Sequence, residues 1–383
     1  TATDGAGNTI EATADHTVTP DYIAEANISI DDVTSDNILN HTELSNPTQT
    51  ITGIVGGDAK AGDPVHLDFG NGKHFDGNVI DMGNGQLGYR IDVDSSVFGD
   101  NSQILFKDVN FTATVTSHDA AKNEVAVTTD HTVHVDNHAY NGLTIDKVAV
   151  DDIVNHAESE RNVHITGHVS GKDAQSGDVV DVLVQGQHYG GKVFADSQGH
   201  LYYDVSIPRD KLVHGDATAQ VTITSHDNAG NEAVATETHD FSVDLHAEAT
   251  ITVNGVTEDN KLSHAELETS KQLITGEVGG DASVGDKVSI EINGNHFGGK
   301  VIDLGGGKLG YQIPVDSSAF GDNNAHINRD VTFHVSVTSH DAVNNEVTVT
   351  TPHTVHIDNF AVNGFTIDTV AGDNTVNMTE SRM

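Results

Sequence analysis

The chain has 383 residues, with 58 Asp and Glu against 18 Lys and Arg, for a formal charge of −40. This balance argues against nucleic acid as a partner, because phosphate binding needs a basic footprint, and against an anionic membrane surface. No run of 18 apolar residues offers a bilayer span. With no Cys, no Trp and aromatics at 5%, the cores must be built from Val, Ile, Leu and a few Phe, without disulfides. Bound metal is then the natural brace for a protein outside the cell, and so acidic a chain suits multivalent cations.

The chain repeats itself. Ser-His-Asp occurs at Ser117-His118-Asp119, Ser225-His226-Asp227 and Ser339-His340-Asp341, with Thr3-Asp4 in the matching place near the start. Asp21, Asp136, Asp244 and Asp358 keep the same register. A period of about 110 residues is too long for a solenoid and matches a whole domain. On these landmarks residues 1–22 are the C-terminal strands of a preceding repeat, 23–137, 138–245 and 246–359 are complete repeats, and 360–383 are the N-terminal part of a further one. The chain thus reads as a segment of something longer. The linkers Asp136-Asn137-His138, Asp244-Leu245-His246 and Asp358-Asn359-Phe360 contain no Pro-rich or Gly/Ser-rich spacer, so neighbouring repeats must nearly touch.

In chain order, the second repeat offers strands at Leu143 to Asp146, Val163 to Val169, Val179 to Val184, Leu201 to Ile207, Ala219 to Thr224 and Glu237 to Val243. Each alternates with period 2 or runs β-branched, and each is bounded by turns such as Gly171-Lys172-Asp173 and Asp227-Asn228-Ala229-Gly230-Asn231. Helical spacing is nowhere sustained; the acidic loop Asp151 to Glu158 is at most a turn or two. About seven short strands per unit predict an all-β chain of tandem immunoglobulin-like Greek-key β-sandwiches stacked end to end.

Three acidic clusters recur in the loops. The first holds Asp36 and Glu43, then Asp151, Asp152 and Glu158, then Asp259 and Glu266, with a further copy at Asp373 to Glu380. The second is Gly56 to Asp63, with copies at Gly171 to Asp178 and Gly279 to Asp286, bringing Asp173, Asp178, Asp281 and Asp286. The third is Asp119 to Asn123, with copies from Asp227 and Asp341. In a sandwich the first loop shares one pole with the closing residues Asp136, Asp244 and Asp358, while the other two clusters share the opposite pole. End-to-end stacking then sets Asp36, Glu43 and Asp136 facing Asp173, Asp178 and Asp227 of the next repeat. Two like charges 4 Å apart cost ~1 kcal/mol in water and about 4 kcal/mol at an effective dielectric of 20; a divalent cation reverses the sign. Hard oxygen donors in irregular loops suit Ca2+, although the spacing is not that of an EF-hand. Asp, Asn and Gly are also the ordinary residues of turns, so either role fits any one of them.

The order of these pieces resembles the tandem immunoglobulin-like extender repeats of giant type I-secreted bacterial adhesins, including RTX adhesins of biofilm-forming and ice-binding marine bacteria. The resemblance rests on Asp36-Asn37-Ile38-Leu39-Asn40 to Glu43, on Gly57-Asp58-Ala59 to Gly62-Asp63, on Asp227 to Asn231, and on Gly190-Gly191-Lys192-Val193 and Gly298-Gly299-Lys300-Val301. It implies a monomeric stalk of calcium-rigidified modules on the bacterial cell surface, projecting a distal ligand-binding domain. The Gly-Gly-x-Gly-x-Asp nonapeptides of RTX regions are absent from this sequence.

Ser-His-Asp is not read as a catalytic triad, because adjacent strand residues point to opposite faces, and no enzymatic activity is expected. The 24 His are read as solvated strand-face residues: His131 and His134, like His353 and His356, point opposite ways, and His164 and His168 lie about 13 Å apart. The expected function is therefore a calcium-stiffened extender. The alternative is an adhesin module gripping a glycan, protein or ice directly, for which the divergent second repeat offers Tyr189, Tyr202 and Tyr203, although Tyr203 or its neighbour has core equivalents at Tyr89 and Tyr311.

Overall fold

A computed structural model describes residues 1–369 and 373–382. Val370 to Gly372, Met383 and the side chain of Glu380, which belong to the expected further repeat and its acidic loop, lie outside the described residues. Two compact units divide the chain within the second repeat. The first comprises residues 1–146, 165–205 and 220–239, and the second residues 147–164, 206–219 and 240–383.

In the first unit, residues 26–136, within the segment expected as the 23–137 repeat, form two sheets packed face to face. One has the order Ala26–Ile28, Thr48–Gly57, Gln86–Asp94, Ile80–Gly83; the other has Ile38–Leu39, Glu124–Asp136, Phe106–His118, Pro64–Asp68, His74–Asn78. Every pairing is antiparallel except Ile38–Leu39, which runs parallel to the last strand, with His134 opposite Ile38. Alternation decides what faces the core: Phe111, Ala113 and Val115 are buried, while Thr112, Thr114 and Thr116 point outward. Tyr89 is wholly buried, and its hydroxyl donates to Ser29 O at 2.9 Å. It sits opposite Gly53, where a Cβ would strike the Tyr89 ring.

The same unit holds residues 165–205 and 220–239 of the second repeat. There Gln187–Ala195 pairs first with Val179–Val184 and then, from Val193, with Leu201–Ile207. Repeat 1 breaks the equivalent strand in two around buried Val79. Tyr203 is core, donating to Thr144 O at 3.0 Å. Residues 1–22, expected to be the C-terminal strands of a preceding repeat, form one short antiparallel pair, Ala2–Thr3 with Thr9–Ile10.

In the second unit, the 246–359 repeat shows the same two sheets, Ala249–Ile251, Lys271–Gly280, Lys308–Asp316, Ile302–Gly305 and Lys261–Leu262, Glu346–Asp358, Asn328–His340, Lys287–Ile292, Asn295–Lys300. Its core is Ile274, Ile290, Tyr311, Phe320, Phe333, Val335 and their neighbours. The all-β, immunoglobulin-like sandwich expected from the period-2 pattern is what the chain forms.

The serines of Ser-His-Asp end the inward-facing row of their strand, so Ser117, Ser225 and Ser339 are all 0% exposed. Ser225 Oγ accepts from Asn141 Nδ2 at 3.1 Å, and that amide also reaches Ala233 O at 2.9 Å. The matching positions in the other repeats are Ala26 and Ala249, by the shared register of Leu143, Ile28 and Ile251. Accordingly, Ser117 Oγ and Ser339 Oγ have no hydrogen-bond partner. Removing an unsatisfied buried hydroxyl is near neutral, whereas breaking a satisfied one costs about 1 kcal/mol. Ser225→Ala is expected to lower the protection of its strand in hydrogen exchange, with Ser117→Ala and Ser339→Ala neutral or stabilising; equal losses at all three sites would contradict this account.

Candidate functional site at the repeat junctions

The first acidic loop is built by local hydrogen bonds. Asp36, Asp151 and Asp259 each accept from the backbone two residues on, at Ile38, Ile153 and Lys261, all at 3.1 Å. The Lys261 N–H and the Thr257 hydroxyl hold the Asp259 carboxyl below its ordinary pKa. Asp152 stands where Asn37 and Asn260 stand in the other repeats; all three adopt positive φ and accept from the backbone N–H four residues earlier. Glu43, Glu158 and Glu266 complete capping boxes on one-turn helices, reaching back to the N–H of Asn40, Asn155 and Ser263. The Asn/Ser-x-x-Glu spacing that signals such a box is plain in the sequence, though it reads there as part of a cation loop.

The second cluster fastens the start of each repeat. Asp58, Asp173 and Asp281 accept from the backbone of Glu25, Tyr140 and Glu248 at 2.9, 2.8 and 2.7 Å. Asp178 and Asp286 close turns with Gln175 N and Ser283 N, each at 2.8 Å.

The third cluster makes the junction itself, through an asparagine that the sequence reading did not single out. In the first unit, Asn231 is 5% exposed. Asp227 grips it twice, accepting from its backbone N–H and its Nδ2, both at 2.8 Å. Thus oriented, Asn231 Nδ2 donates to Asp136 O at 2.7 Å, and Oδ1 accepts from His41 N at 2.8 Å. Asn40 Nδ2 adds a bond to Ala229 O at 2.9 Å. One amide therefore joins the loop of the 138–245 repeat to both the last strand and the capped helix of the 23–137 repeat.

The second unit repeats the pattern. Asn345 is held by Asp341, donates to Asp244 O at 2.9 Å and accepts from His156 N at 2.7 Å. At the start of the chain, Asn123 is likewise gripped by Asp119 and donates to Asp21 O at 3.1 Å. The spacing Asp-x-x-x-Asn, shared by Asp119, Asp227 and Asp341, is the signal that was available. Burial alone raises the pKa of Asp119 and Asp341, but hydrogen bonds from Asn123 and Asn345 outweigh it and hold both carboxyls below the usual value.

In the second unit, Asp244, Glu248, Asp281 and Asp341 line one cleft of about 580 Å³ with His214 and His246. Asp136, Asp173 and Asp227 stand at the matching positions of the first unit. Asp36, Asp151, Asp178, Asp259, Asp286 and the three helix-capping glutamates are engaged in their own turns and caps, and Asp358 is exposed at the end of its strand. Among the described residues no group of three or more His, Asp or Glu converges closely enough to hold a metal. The cleft does offer carboxylates and carbonyls, the donor chemistry Ca2+ takes.

Ser-His-Asp performs three separate tasks. The serine is buried, the exposed histidine pairs across the hairpin with Glu124, Glu232 or Glu346 at 3.2 to 3.5 Å, and the aspartate orients the junction asparagine. Several histidines expected to be solvated have fixed partners instead. His131 and His353 meet the amides of Asn37 and Asn260 at 2.9 Å, and His134 and His356 meet Asp108 and Asp330 at 2.8 and 2.7 Å.

Immunoglobulin-like sandwiches in tandem, with direct linkers and a buried amide at the two junctions made by Asn231 and Asn345, define a modular structural protein. No protein-family model matches the chain, and neither does any curated protein. Among solved structures it is similar to a Ca2+-stabilized adhesin that helps an Antarctic bacterium reach out and bind ice, with TM-score 0.68 and 30% identity over 93% of this chain and 80% of that one. It is also similar to part of a 1.5-MDa bacterial ice-binding adhesin described for host cell surface retention, with TM-score 0.57 and 28% identity over 88% of this chain and 99% of that one. The chain belongs to the family of tandem immunoglobulin-like extender repeats of large bacterial adhesins.

Replacing Asn345 by Ala removes the acceptor of His156 N and the donor to Asp244 O. At about 1 kcal/mol per hydrogen bond, exchange of the His156 amide should accelerate by about tenfold or more, while the strands of the 246–359 repeat keep their protection. Because the folded pKa of Asp341 is lowered, its contribution is full above the ordinary carboxylate range and fades as pH falls through the lowered value. The His156 amide should therefore lose protection on acidification below about pH 4. An unchanged rate in Asn345→Ala would refute the amide stitch.

Proposed function

We propose that this chain is a stalk segment whose repeats, with boundaries at 23–137, 138–245 and 246–359, are rigidified at their junctions by Ca2+ to hold a distal binding domain away from a bacterial surface. The observation that carries this reading is the cleft where Asp244, from the end of one repeat, meets Glu248, Asp281 and Asp341 of the next. Uncompensated, these carboxylates repel; a divalent ion between them turns the repulsion into a tie. At the preceding junction Asp136, Asp173 and Asp227 are the corresponding candidates, with Lys172 Nζ already 3.4 Å from Asp173. Asp36, Asp151, Asp152, Asp259, Glu43, Glu158, Glu266, Asp178, Asp286 and Asp358 are outer candidates, since the turns and caps use only part of a carboxylate's acceptor capacity.

The calcium stabilization described for the similar adhesin supports this assignment. The burial of each Ser-His-Asp serine supports a scaffold without enzymatic activity. An extracellular location and independence from nucleic acid agree with the family and with the charge of −40. The direct-binding alternative loses Tyr203 to the core. Calcium binding to the folded array adds its free energy to folding, so export from a low-calcium cytoplasm would precede folding.

Small-angle scattering and thermal unfolding in calcium and in EGTA test the proposal. Chelation is expected to lower the thermal midpoint and broaden the distance distribution; identical curves in both buffers would remove calcium from the account.

A further inference from the structure

The two complete junctions differ at one corner, and the difference is coordinated. In the second unit that corner carries His214, Glu248 and the turn Gly280-Asp281. In the first unit the matching residues are Phe106, Tyr140 and Gly171-Lys172-Asp173. The register fixes these equivalences. Phe106 and Asn328 sit opposite Asp136 and Asp358, and His214 directly precedes the corresponding strand of the second repeat. Tyr140 and Glu248 each donate a backbone N–H to, and each accept at their carbonyl from, the turn aspartate. Gly57, Gly171 and Gly280 share a positive φ and approach the backbone of Glu25, Tyr140 and Glu248. Asp58 and Asp281 follow their glycines directly, whereas Lys172 intervenes before Asp173. Lys172 is therefore a one-residue insertion unique to the second repeat.

The inserted side chain fills a ready-made place. Lys172 Nζ lies 3.4 Å from Asp173 Oδ2, 5.2 Å from the Phe106 ring centre and 5.4 Å from that of Tyr140. Phe106 belongs to the preceding repeat, so the ammonium bridges the junction. Both rings are substantially exposed, and a cation over their faces gives each a partner that water does not. A carboxylate (Glu248 at the other junction) is replaced by a ring, a histidine by a second ring, and an extra positive charge arrives between them.

We propose that Lys172 is the resident cation of the junction between the 23–137 and 138–245 repeats, neutralising Asp173 and clamping Phe106 so that this junction stays closed when calcium is removed. Its contrast with the 138–245/246–359 junction rests on the calcium reading above. The array would then contain one calcium-independent joint beside a calcium-dependent one.

Hydrogen exchange of the full chain, read at the linker amides of each junction in calcium and in EGTA, tests this. EGTA is expected to accelerate exchange around His246 and Glu248 while leaving His138 and Tyr140 nearly unchanged. Lys172→Met and, independently, Phe106→Ala should accelerate His138 and Tyr140 at least about fivefold in EGTA, and Lys172→Arg should restore them. Phe106 is 69% exposed, so its truncation leaves the core intact and keeps the test valid if Lys172→Met perturbs the turn. If both junctions of the unmodified chain loosen equally in EGTA, or if Lys172→Met and Phe106→Ala leave the first junction unchanged, the lysine clamp is overturned while the calcium reading stands. If neither junction responds to EGTA, the calcium reading fails, and Lys172 is then judged by Lys172→Met against Lys172→Arg alone.

Discussion

Everything in this chain answers to one constraint: loops crowded with carboxylates must meet at the joints between repeats. Short linkers leave no room to separate them, and with 58 acidic residues against 18 basic ones there are few cations of the chain's own to spread among them. The protein's first answer is to employ carboxylates locally. Asp227 and Asp341 are spent on orienting Asn231 and Asn345, and those neutral amides make the contact. A buried amide offers a donor and an acceptor in fixed directions, and so joins a carbonyl and an N–H of the neighbouring repeat without adding charge.

The sandwich places these parts. Asp136, at the end of its strand, or Asp244, one residue past the strand ending at Val243, delivers a carbonyl to the joint, and the short parallel pairing at Ile38–Leu39 sets the capped turn beside it. The capping box then aims His41 N or His156 N at the asparagine. Each element is conventional, and specificity comes from their convergence. The amide closes the centre of the joint, and Asp244, Glu248 and Asp281 line a cleft at its rim together with the same Asp341 that orients it.

Much of this was legible in the sequence. Alternation located the strands closely: Val179–Val184 and Leu201–Ile207 have the expected bounds, and repetition of the tripeptide marked equivalent positions. What stayed hidden depends on partners far along the chain. Asn231 reads as the end of a turn, and only its contact with Asp136, 95 residues away, reveals its role. Glu43 completes a capping box, a role the sequence does not separate from that of a cation ligand because both draw on the same residue types. Lys172 reads in the sequence as an ordinary turn residue. Its importance lies in a shift of register that only strand pairing exposes. The histidines read as solvated in the sequence because cross-strand partners such as Asp108 cannot be assigned before the strands are paired.

The central claim is that a cation completes the acidic rim of the joint. Diffraction from crystals of the chain grown in calcium tests it most directly. The account predicts an ion in the cleft of Asp244, Glu248, Asp281 and Asp341, with carboxylate oxygens at about 2.3–2.6 Å. An ordered cleft holding only water, with those side chains turned to solvent, would contradict it.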